Sequence, residues 1–152
     1  MRELVAKMKL IPIKAIIEGH SGVFLDDSIV RGTQLKDNVS DLHHAGIKEV
    51  NMRIACPPLT YPCEFVNFSR SRSSLDLATH KAIKKLEGST DNVDFKEYSD
   101  CNSEKYKAMV EEIRKTLGLT TLTFQRLDDL VEAIGLPKEK LCTHCWDGSS
   151  YF

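Results

Sequence analysis

The sequence has no long uninterrupted apolar run. The apolar cluster from Leu10 to Ile17 is broken by Pro12 and Lys14 and is followed by Glu18. It therefore falls well short of a transmembrane helix or of the apolar part of a signal peptide. From this absence we expect a cytoplasmic protein without a membrane partner.

An excess of one charge is also missing. Lysine and arginine number 21 and aspartate and glutamate number 22, which gives a formal net charge of −1. Such a balance favours neither a nucleic-acid groove nor a membrane-surface patch. We expect no nucleic-acid partner, whereas a small anionic ligand remains compatible with this composition.

The number of cysteines is odd, and no export signal accompanies them. Five cysteines in 152 residues predict reduced thiols or metal ligands rather than a disulfide framework. With 41% hydrophobic residues, a chain of this length buries roughly 68 to 70% of its unfolded surface. We therefore expect one domain over residues 1–152.

Hydrophobic periodicity predicts an α/β fold with a parallel sheet flanked by helices. The predicted strands are 23–25, 50–55 and 120–124, and the predicted helices are 33–45, 74–86, 104–117 and 127–134. The first strand, helix and second strand form a right-handed parallel crossover. Three strands are few for a doubly wound sheet, which indicates part of a domain.

Three segments lie outside this regular pattern. Residues 2–17 fit a mobile basic segment about as well as a helix broken at Pro12. The polar and acidic segment 89–103 is expected to be an exposed insertion. Beyond Pro137, the chain is expected to end in a helical, cysteine-containing tail.

A ligand-binding turn is predicted between Val23 and Gln34. There an apolar strand leads through Asp26 and Asp27 into a helical pattern. A turn from a parallel strand into a helix presents unpaired backbone N–H groups, which favour a phosphate. Two carboxylates would repel that phosphate, so sugar hydroxyls or a divalent cation shared with the sugar would satisfy them. The alternative is that the two acids are ordinary surface turn residues.

The run Asp-Asp-Ser-Ile-Val-Arg-Gly-Thr at 26–33 resembles the phosphoribosyl-diphosphate signature of the type I phosphoribosyltransferases. More narrowly, it is similar to the version found in the glutamine amidophosphoribosyltransferases. Further runs that resemble this family are 9–12, 45–50, 52–58, 61–63, 111–114, 130–135 and 141–148. The similarity implies the C-terminal part of the transferase domain, without the glutaminase domain and the first transferase strands.

The resemblance implies a reaction in which ammonia derived from glutamine displaces diphosphate from C1 of ribose. The product is 5-phosphoribosylamine, made in the first step of de novo purine synthesis. By position, Asp26 and Asp27 would hold the ribose hydroxyls and Mg²⁺. The 5′-phosphate would lie among Ser28, Val30, Arg31, Gly32, Thr33 and Gln34. No catalytic side chain is implied within this chain, and we expect the isolated chain to be inactive.

Some positions refine or depart from the family pattern. Gly32 is expected because a side chain there would block the approach of the phosphate to the backbone. Gln34 stands where the family usually has a second threonine, which removes a hydroxyl but keeps the N–H. Basic residues near the amino terminus, Arg2, Lys7 or Lys9, would lie near the diphosphate, or would simply be solvated.

Cys142 and Cys145 form a C-x-x-C motif, which zinc ribbons, redox sites and iron–sulfur sites share. The resemblance to the iron–sulfur members of the family implies that Cys63 joins them as three of the four ligands of a [4Fe-4S] cluster. The fourth ligand would come from outside this chain. His144, between the two cysteines, is expected to be solvated rather than a ligand. Cys56 is expected in the core and Cys101 as a free thiol.

Two other classes of function stay open at the level of sequence. One is a non-catalytic nucleotide- or phosphoribosyl-binding or scaffold domain, and the other is a small zinc-structured module. For the enzyme, the expected partners are phosphoribosyl diphosphate, purine nucleotides, and a missing N-terminal part or a partner chain. A homo-oligomer is also expected.

Overall fold

The computed structural model describes residues 11–65 and 76–149. Its strands are β1 (Ser21–Asp26), β2 (Glu49–Ile54) and β3 (Thr121–Phe124). Its helices are α1 (Lys14–Ile17), α2 (Thr33–His44), α3 (Ala78–Glu87), α4 (Phe95–Ser99), α5 (Glu104–Leu117), α6 (Leu127–Ile134) and α7 (His144–Asp147), with a 3-10 turn at Lys138–Lys140. None of the helices in these two ranges is long and apolar enough to cross a membrane.

The three strands form one parallel sheet in the order β1-β2-β3. Asp26 at the end of β1 is paired with Ile54, and Ile54 is paired with Phe124 at the end of β3. The carboxyl ends of all three strands therefore lie at one edge of the sheet, where ligands of open α/β sheets bind. This confirms the predicted α/β class with a parallel sheet flanked by helices.

The core lies between one face of the sheet and the helices. Alternation in β2 buries Val50, Met52 and Ile54, and these pack in one cluster with Ile83 of α3 and Met109 of α5. Residues spaced at i, i+3 and i+4 give each helix one apolar face, whose burial is the main favourable term in folding. This cluster packs the helices against the sheet whose strands end at that edge.

The prediction of a buried first strand is wrong for one of its faces. Val23 is 64% exposed and Leu25 is 83% exposed, whereas Phe24 packs against the core. β1 is an edge strand, and side chains of successive residues point to opposite faces of a sheet. The face that carries Val23 and Leu25 is not covered by any of the residues 11–65 and 76–149.

Helix predictions are accurate where the apolar period is clear. α5 and α6 have the predicted bounds, and Gly118 and Gly135 follow them with positive φ. α3 begins at Ala78, later than predicted, because the backbone of Leu77 is still extended. Ile83 is buried in this helix, whereas Leu86, which was expected on the buried face, is exposed. Residues 74 and 75 lie outside the described residues, as does the basic segment before residue 11.

The segment 89–103, predicted to be an exposed insertion, is exposed at many of its residues but is anchored to the core at Tyr98. The segment contains α4, whose first turn is capped by the Asp94 carboxylate accepting from the Lys96 N–H at 3.0 Å. Tyr98 is 1% exposed, and its hydroxyl donates to Glu87 Oε1 at 2.5 Å. The predicted helical, cysteine-containing tail is present as the 3-10 turn and α7.

Candidate functional site

Two adjacent carboxylates stand at the carboxyl end of β1. The Asp27 N–H donates to Asp26 Oδ1 at 3.0 Å, and the Ser28 N–H donates to Asp27 Oδ1 at 2.7 Å. Both aspartates are exposed. Partial burial raises the pKa of Asp26, and the neighbouring charge of Asp27 raises it further, while the hydrogen bond from the Asp27 N–H opposes them. A cation or donor hydroxyls at this point would relieve the charge.

The turn after these acids opens into the N-terminus of α2. Gly32 has φ 72° and ψ −5°, and its carbonyl accepts the first helical hydrogen bond, from the Lys36 N–H at 2.9 Å. The first helical N–H groups, those of Thr33 and Gln34, have no acceptor within the described parts of the chain. The first turn of α2 also carries no acid. These features suit an anion.

Gly32 is required here for a reason different from the expected one. A Cβ built on Gly32 would lie 3.1 Å from Leu117 Cδ2 and 3.8 Å from Ala78 Cβ. A side chain would therefore point toward α3 and α5 and not into the phosphate cradle. The left-handed backbone and this close packing explain the glycine.

Backbone carbonyl groups of the turn between Asp26 and Gln34 accept hydrogen bonds from other parts of the fold. The Val30 carbonyl accepts from the Ala78 N–H at 2.8 Å, and the Asp26 carbonyl accepts from the Ala55 N–H at 2.9 Å. Lys81 Nζ donates to the Arg31 carbonyl at 3.4 Å. These hydrogen bonds join the turn to the start of α3 and to the residue after β2.

The other residues predicted to bind the phosphoribosyl group are accessible. Ser28 and Val30 are half-buried, and Arg31, Thr33 and Gln34 are exposed. Their side chains and N–H groups can reach a ligand without rearrangement of the core. The basic residues expected near the diphosphate, Arg2, Lys7 and Lys9, lie outside the described residues.

Cys63 and the pair Cys142 and Cys145 belong to two segments that are distant in sequence but hydrogen-bonded to each other in the fold. Burial raises the pKa of the Cys145 thiol to about 12, and the electrostatic effects of Cys63 and then of Cys142 raise it further. Cys63 is buried, Cys145 is half-buried and Cys142 is exposed. Backbone bonds join the two segments, because the N–H groups of Thr60 and Tyr61 donate to the Cys145 carbonyl at 2.9 and 3.0 Å.

The described residues contain no group of three or more His, Cys, Asp or Glu side chains that converge on a single metal ion. Soft thiolates are the donors that iron–sulfur clusters require, and Cys63, Cys142 and Cys145 are the thiols predicted for such a cluster.

The sequence prediction missed Thr79 and His80, which fasten the segment before Cys63. Thr79 Oγ1 donates to the Leu59 carbonyl at 2.6 Å, and His80 Nε2 donates to the Thr60 carbonyl at 2.8 Å. His80 is 4% exposed, and burial lowers its pKa. The sequence feature that could have indicated these two residues is a Thr-His pair flanked by apolar residues at the start of a helix.

His144 was predicted to be a solvated side chain, and the structure shows otherwise. It is half-buried, its Nδ1 bonds the Ser149 carbonyl at 2.7 Å, and its ring centroid lies 5.9 Å from that of Tyr61. With Nδ1 engaged in this bond, His144 packs the tail against the segment that carries Cys63.

A pocket of about 180 Å³ lies between the loops that follow β2 and β3 and the segment 99–102. Pro57, Cys101, Arg126 and Trp146 are among its lining residues, so Cys101 faces this pocket.

Burial raises the pKa of the Cys56 thiol to about 11. The Trp146 Nε1 lies beside that thiol, although it makes no hydrogen bond of good geometry among the described residues.

Comparison with known proteins gives relatives along nearly the whole chain, although no protein-family model matches. The amidophosphoribosyltransferase of Methanothermobacter thermautotrophicus is 36% identical over 147 residues, which are 97% of this chain and 25% of the relative. That of Methanocaldococcus jannaschii is 35% identical over the same shares. The solved glutamine phosphoribosylpyrophosphate amidotransferase from B. subtilis, complexed with ADP and GMP, has a TM-score of 0.65 and 25% identity. The match covers 98% of this chain and 28% of that one.

The fold is therefore the α/β fold of the phosphoribosyltransferase type. The chain spans about a quarter of the length of the curated relatives that it matches. It is a homologue of the amidophosphoribosyltransferases and corresponds to the C-terminal part of their sequence.

Proposed function

We propose that this chain is the C-terminal part of a cytoplasmic amidophosphoribosyltransferase and that it holds the ribose 5-phosphate half of phosphoribosyl diphosphate. The observation that carries the proposal is one short turn with two adjacent exposed carboxylates, Asp26 and Asp27, ahead of an open helix N-terminus at Thr33. The names and coverage of the relatives support the same assignment. The remaining transferase and glutaminase segments would be supplied by a preceding part of the chain or by a partner chain.

In this proposal, one part of the turn binds the negatively charged 5′-phosphate and another part binds the ribose. The N–H groups of Gly32, Thr33 and Gln34 and the Ser28 and Thr33 hydroxyls bind the 5′-phosphate, to which the helix N-terminus contributes about 0.3 to 1 kcal/mol per charge. Asp26 and Asp27 accept hydrogen bonds from the ribose hydroxyls. Their negative charge also stabilises the positive charge that develops on the ribose ring when the bond to diphosphate breaks. When bound there, Mg²⁺ would take up charge on the leaving group.

The cysteine group is proposed to belong to an iron–sulfur centre, which would put this chain in the iron–sulfur subgroup of its relatives. Cys63, Cys142 and Cys145 supply three thiolates, and the approach of their segments supports this assignment. A fourth ligand must come from outside the chain, so the isolated chain should retain a [4Fe-4S] cluster poorly. Purine nucleotides are proposed as further ligands, because a solved relative is complexed with ADP and GMP. We also propose a homo-oligomer.

The test of the ribose site is a calorimetric titration of the chain with ribose 5-phosphate in the presence of Mg²⁺. Changing both Asp26 and Asp27 to Asn should weaken binding by at least roughly 10-fold, because charge-assisted hydrogen bonds from the ribose hydroxyls and carboxylate coordination of Mg²⁺ are lost. The matched control changes Asp128 and Asp129 to Asn, since these are also adjacent exposed acids beside a helix start. Equal affinity of the two double variants would reject the assignment.

A second candidate is a non-catalytic phosphoribosyl-binding or scaffold domain. It uses the same turn with Asp26, Asp27 and the open N-terminus of α2, but without catalysis. This candidate predicts ribose 5-phosphate binding without turnover under any partner condition. Ammonia-dependent formation of phosphoribosylamine, by the chain alone or with its partner segment, would exclude it.

A further inference from the structure

The pocket of about 180 Å³ beside Trp146 is not used by the ribose site. It lies between the carboxyl ends of β2 and β3, because Pro57 follows β2 and Arg126 follows β3. The Gln125 N–H donates to the Ile54 carbonyl at 2.9 Å, so these two strand ends are hydrogen-bonded to each other. The ribose turn follows the neighbouring strand, β1. The pocket is therefore a separate place on the same edge of the sheet.

The segment 99–102 forms another wall of this pocket. It belongs to the insertion 89–103, which none of the runs that resemble the amidophosphoribosyltransferases includes. The Asn102 N–H donates to Asp100 Oδ1 at 2.9 Å, and the nearby Tyr98 is buried in the core, so the wall is an ordered part of the fold. The pocket consequently includes a feature of this chain that lies outside the family pattern.

The more buried part of the lining is mainly apolar and aromatic. It consists of Pro57, which is buried, and Ser99, Cys101, Tyr106, Leu127 and Trp146, which are half-buried. A cavity of about 150 Å³ in another protein binds benzene, so this pocket has room for a molecule of roughly six to ten heavy atoms. Pockets for larger ligands measure about 300 to 1,000 Å³, and a whole nucleotide would extend well beyond this one.

Charges of both signs lie at the exposed part of the pocket. Arg126, Asp100 and Asp128 all line it, and all three are exposed. Within the described residues, the side chains of Arg126 and Asp128 make no ion pair or hydrogen bond, and Asp100 accepts only the Asn102 N–H. The rim therefore offers a guanidinium and carboxylate oxygens to a ligand.

A free α-amino acid has the chemistry that matches this lining. Its carboxylate can accept paired hydrogen bonds from a guanidinium, which suits Arg126. Its ammonium group can donate to a carboxylate, which suits Asp100, and a small apolar side chain can fill the inner part beside Trp146. A phosphate would meet two acids and a single cation here, so an anionic ligand fits less well.

We propose that this pocket binds a free α-amino acid with a small apolar side chain, with Arg126 on its carboxylate, Asp100 on its ammonium group and Trp146 beside its side chain. The site is independent of the ribose 5-phosphate turn. Failure of the ribose assignment would leave this proposal standing, and the reverse also holds.

The test titrates the 152-residue chain with L-valine and follows the emission of Trp146, which is the only tryptophan in the sequence. Two analogues carry one charge each: L-valinamide lacks the carboxylate, and 3-methylbutanoate lacks the ammonium group. L-valine should bind saturably, and each analogue should bind at least roughly 5-fold more weakly, because one charge-assisted interaction is lost.

Two variants assign each charge to its partner. Arg126→Gln should weaken L-valine binding by at least roughly 5-fold and should reduce the preference for L-valine over L-valinamide. Asp100→Asn keeps an acceptor for the Asn102 N–H and should reduce the preference over 3-methylbutanoate. The matched control is Lys84→Gln, since Lys84 is an exposed cation that does not line the pocket. It should leave all three affinities unchanged.

Several results would overturn the proposal. One is the absence of a saturable change, at millimolar L-valine, in both the Trp146 emission and the amide chemical shifts of Cys101 and Trp146. Equal binding of the three ligands would mean that the rim charges are merely solvated. Tighter binding of GMP than of L-valine would assign the pocket to nucleotides instead. If Arg126→Gln does not fold, the comparison of the three ligands on the original chain decides.

Discussion

Replacing Gly32 with alanine tests how the phosphate turn is built. The residue has φ 72°, which costs an L-amino acid roughly 1–2 kcal/mol. The new Cβ would also lie 3.1 Å from Leu117 Cδ2, in a buried contact where overpacking costs about 1–3 kcal/mol. We therefore expect the free energy of unfolding, measured with urea by circular dichroism, to fall by about 2–5 kcal/mol.

Gly135→Ala is the matched control. Gly135 has φ 73°, and nothing lies within 4 Å of the position that a Cβ would take there. This variant should therefore show the backbone cost alone, about 1–2 kcal/mol. Equal losses in the two variants would refute the packing argument. Because a Cβ on Gly32 would point away from the cradle, folded Gly32→Ala should still bind ribose 5-phosphate. Complete loss of binding without the excess destabilisation would show that the side chain enters the cradle instead.

Three further predictions concern acidity, burial and close packing. The raised pKa of Asp26 means that its ionised form is disfavoured in the fold, so stability should increase as pH falls through that pKa toward the unfolded value. Asp26→Asn should flatten this part of a pH series of urea unfolding. Tyr98→Phe should cost about 1–3 kcal/mol of unfolding free energy, because Glu87 loses its partner at 2.5 Å. Gly148→Ala should displace the Tyr61 ring, which lies 2.6 Å from the added Cβ, and lower the thermal midpoint.

The elements predicted well from sequence are those whose burial is decided locally. β2 alternates Val50, Met52 and Ile54 with polar residues, and α5 repeats its apolar residues at helical spacing up to Gly118. Such patterns indicate both the type of secondary structure and which of its faces is buried. The position of the ligand turn follows in the same way, from a strand, two acids and a helix start.

The errors arise where tertiary contacts decide. Val23 and Leu25 are apolar, yet both side chains are exposed on an edge strand. Segment 89–103 is polar in composition, but its Tyr98 packs in the core. His80 belongs to no sequence motif, and its hydrogen bond to the Thr60 carbonyl joins two segments that meet only in the folded chain. Secondary-structure propensity and composition do not indicate which segments will contact one another in the fold.

The most direct test of the central claim is an amide chemical-shift titration of the ¹⁵N-labelled chain with ribose 5-phosphate and Mg²⁺. The proposed site predicts the largest shifts at the N–H groups of Gly32, Thr33 and Gln34, with smaller ones at Asp26 and Asp27, and saturation at one ligand per chain. Shifts confined to other segments, such as the pocket beside Trp146, or no shifts at millimolar ligand, would contradict the assignment of this turn to ribose 5-phosphate.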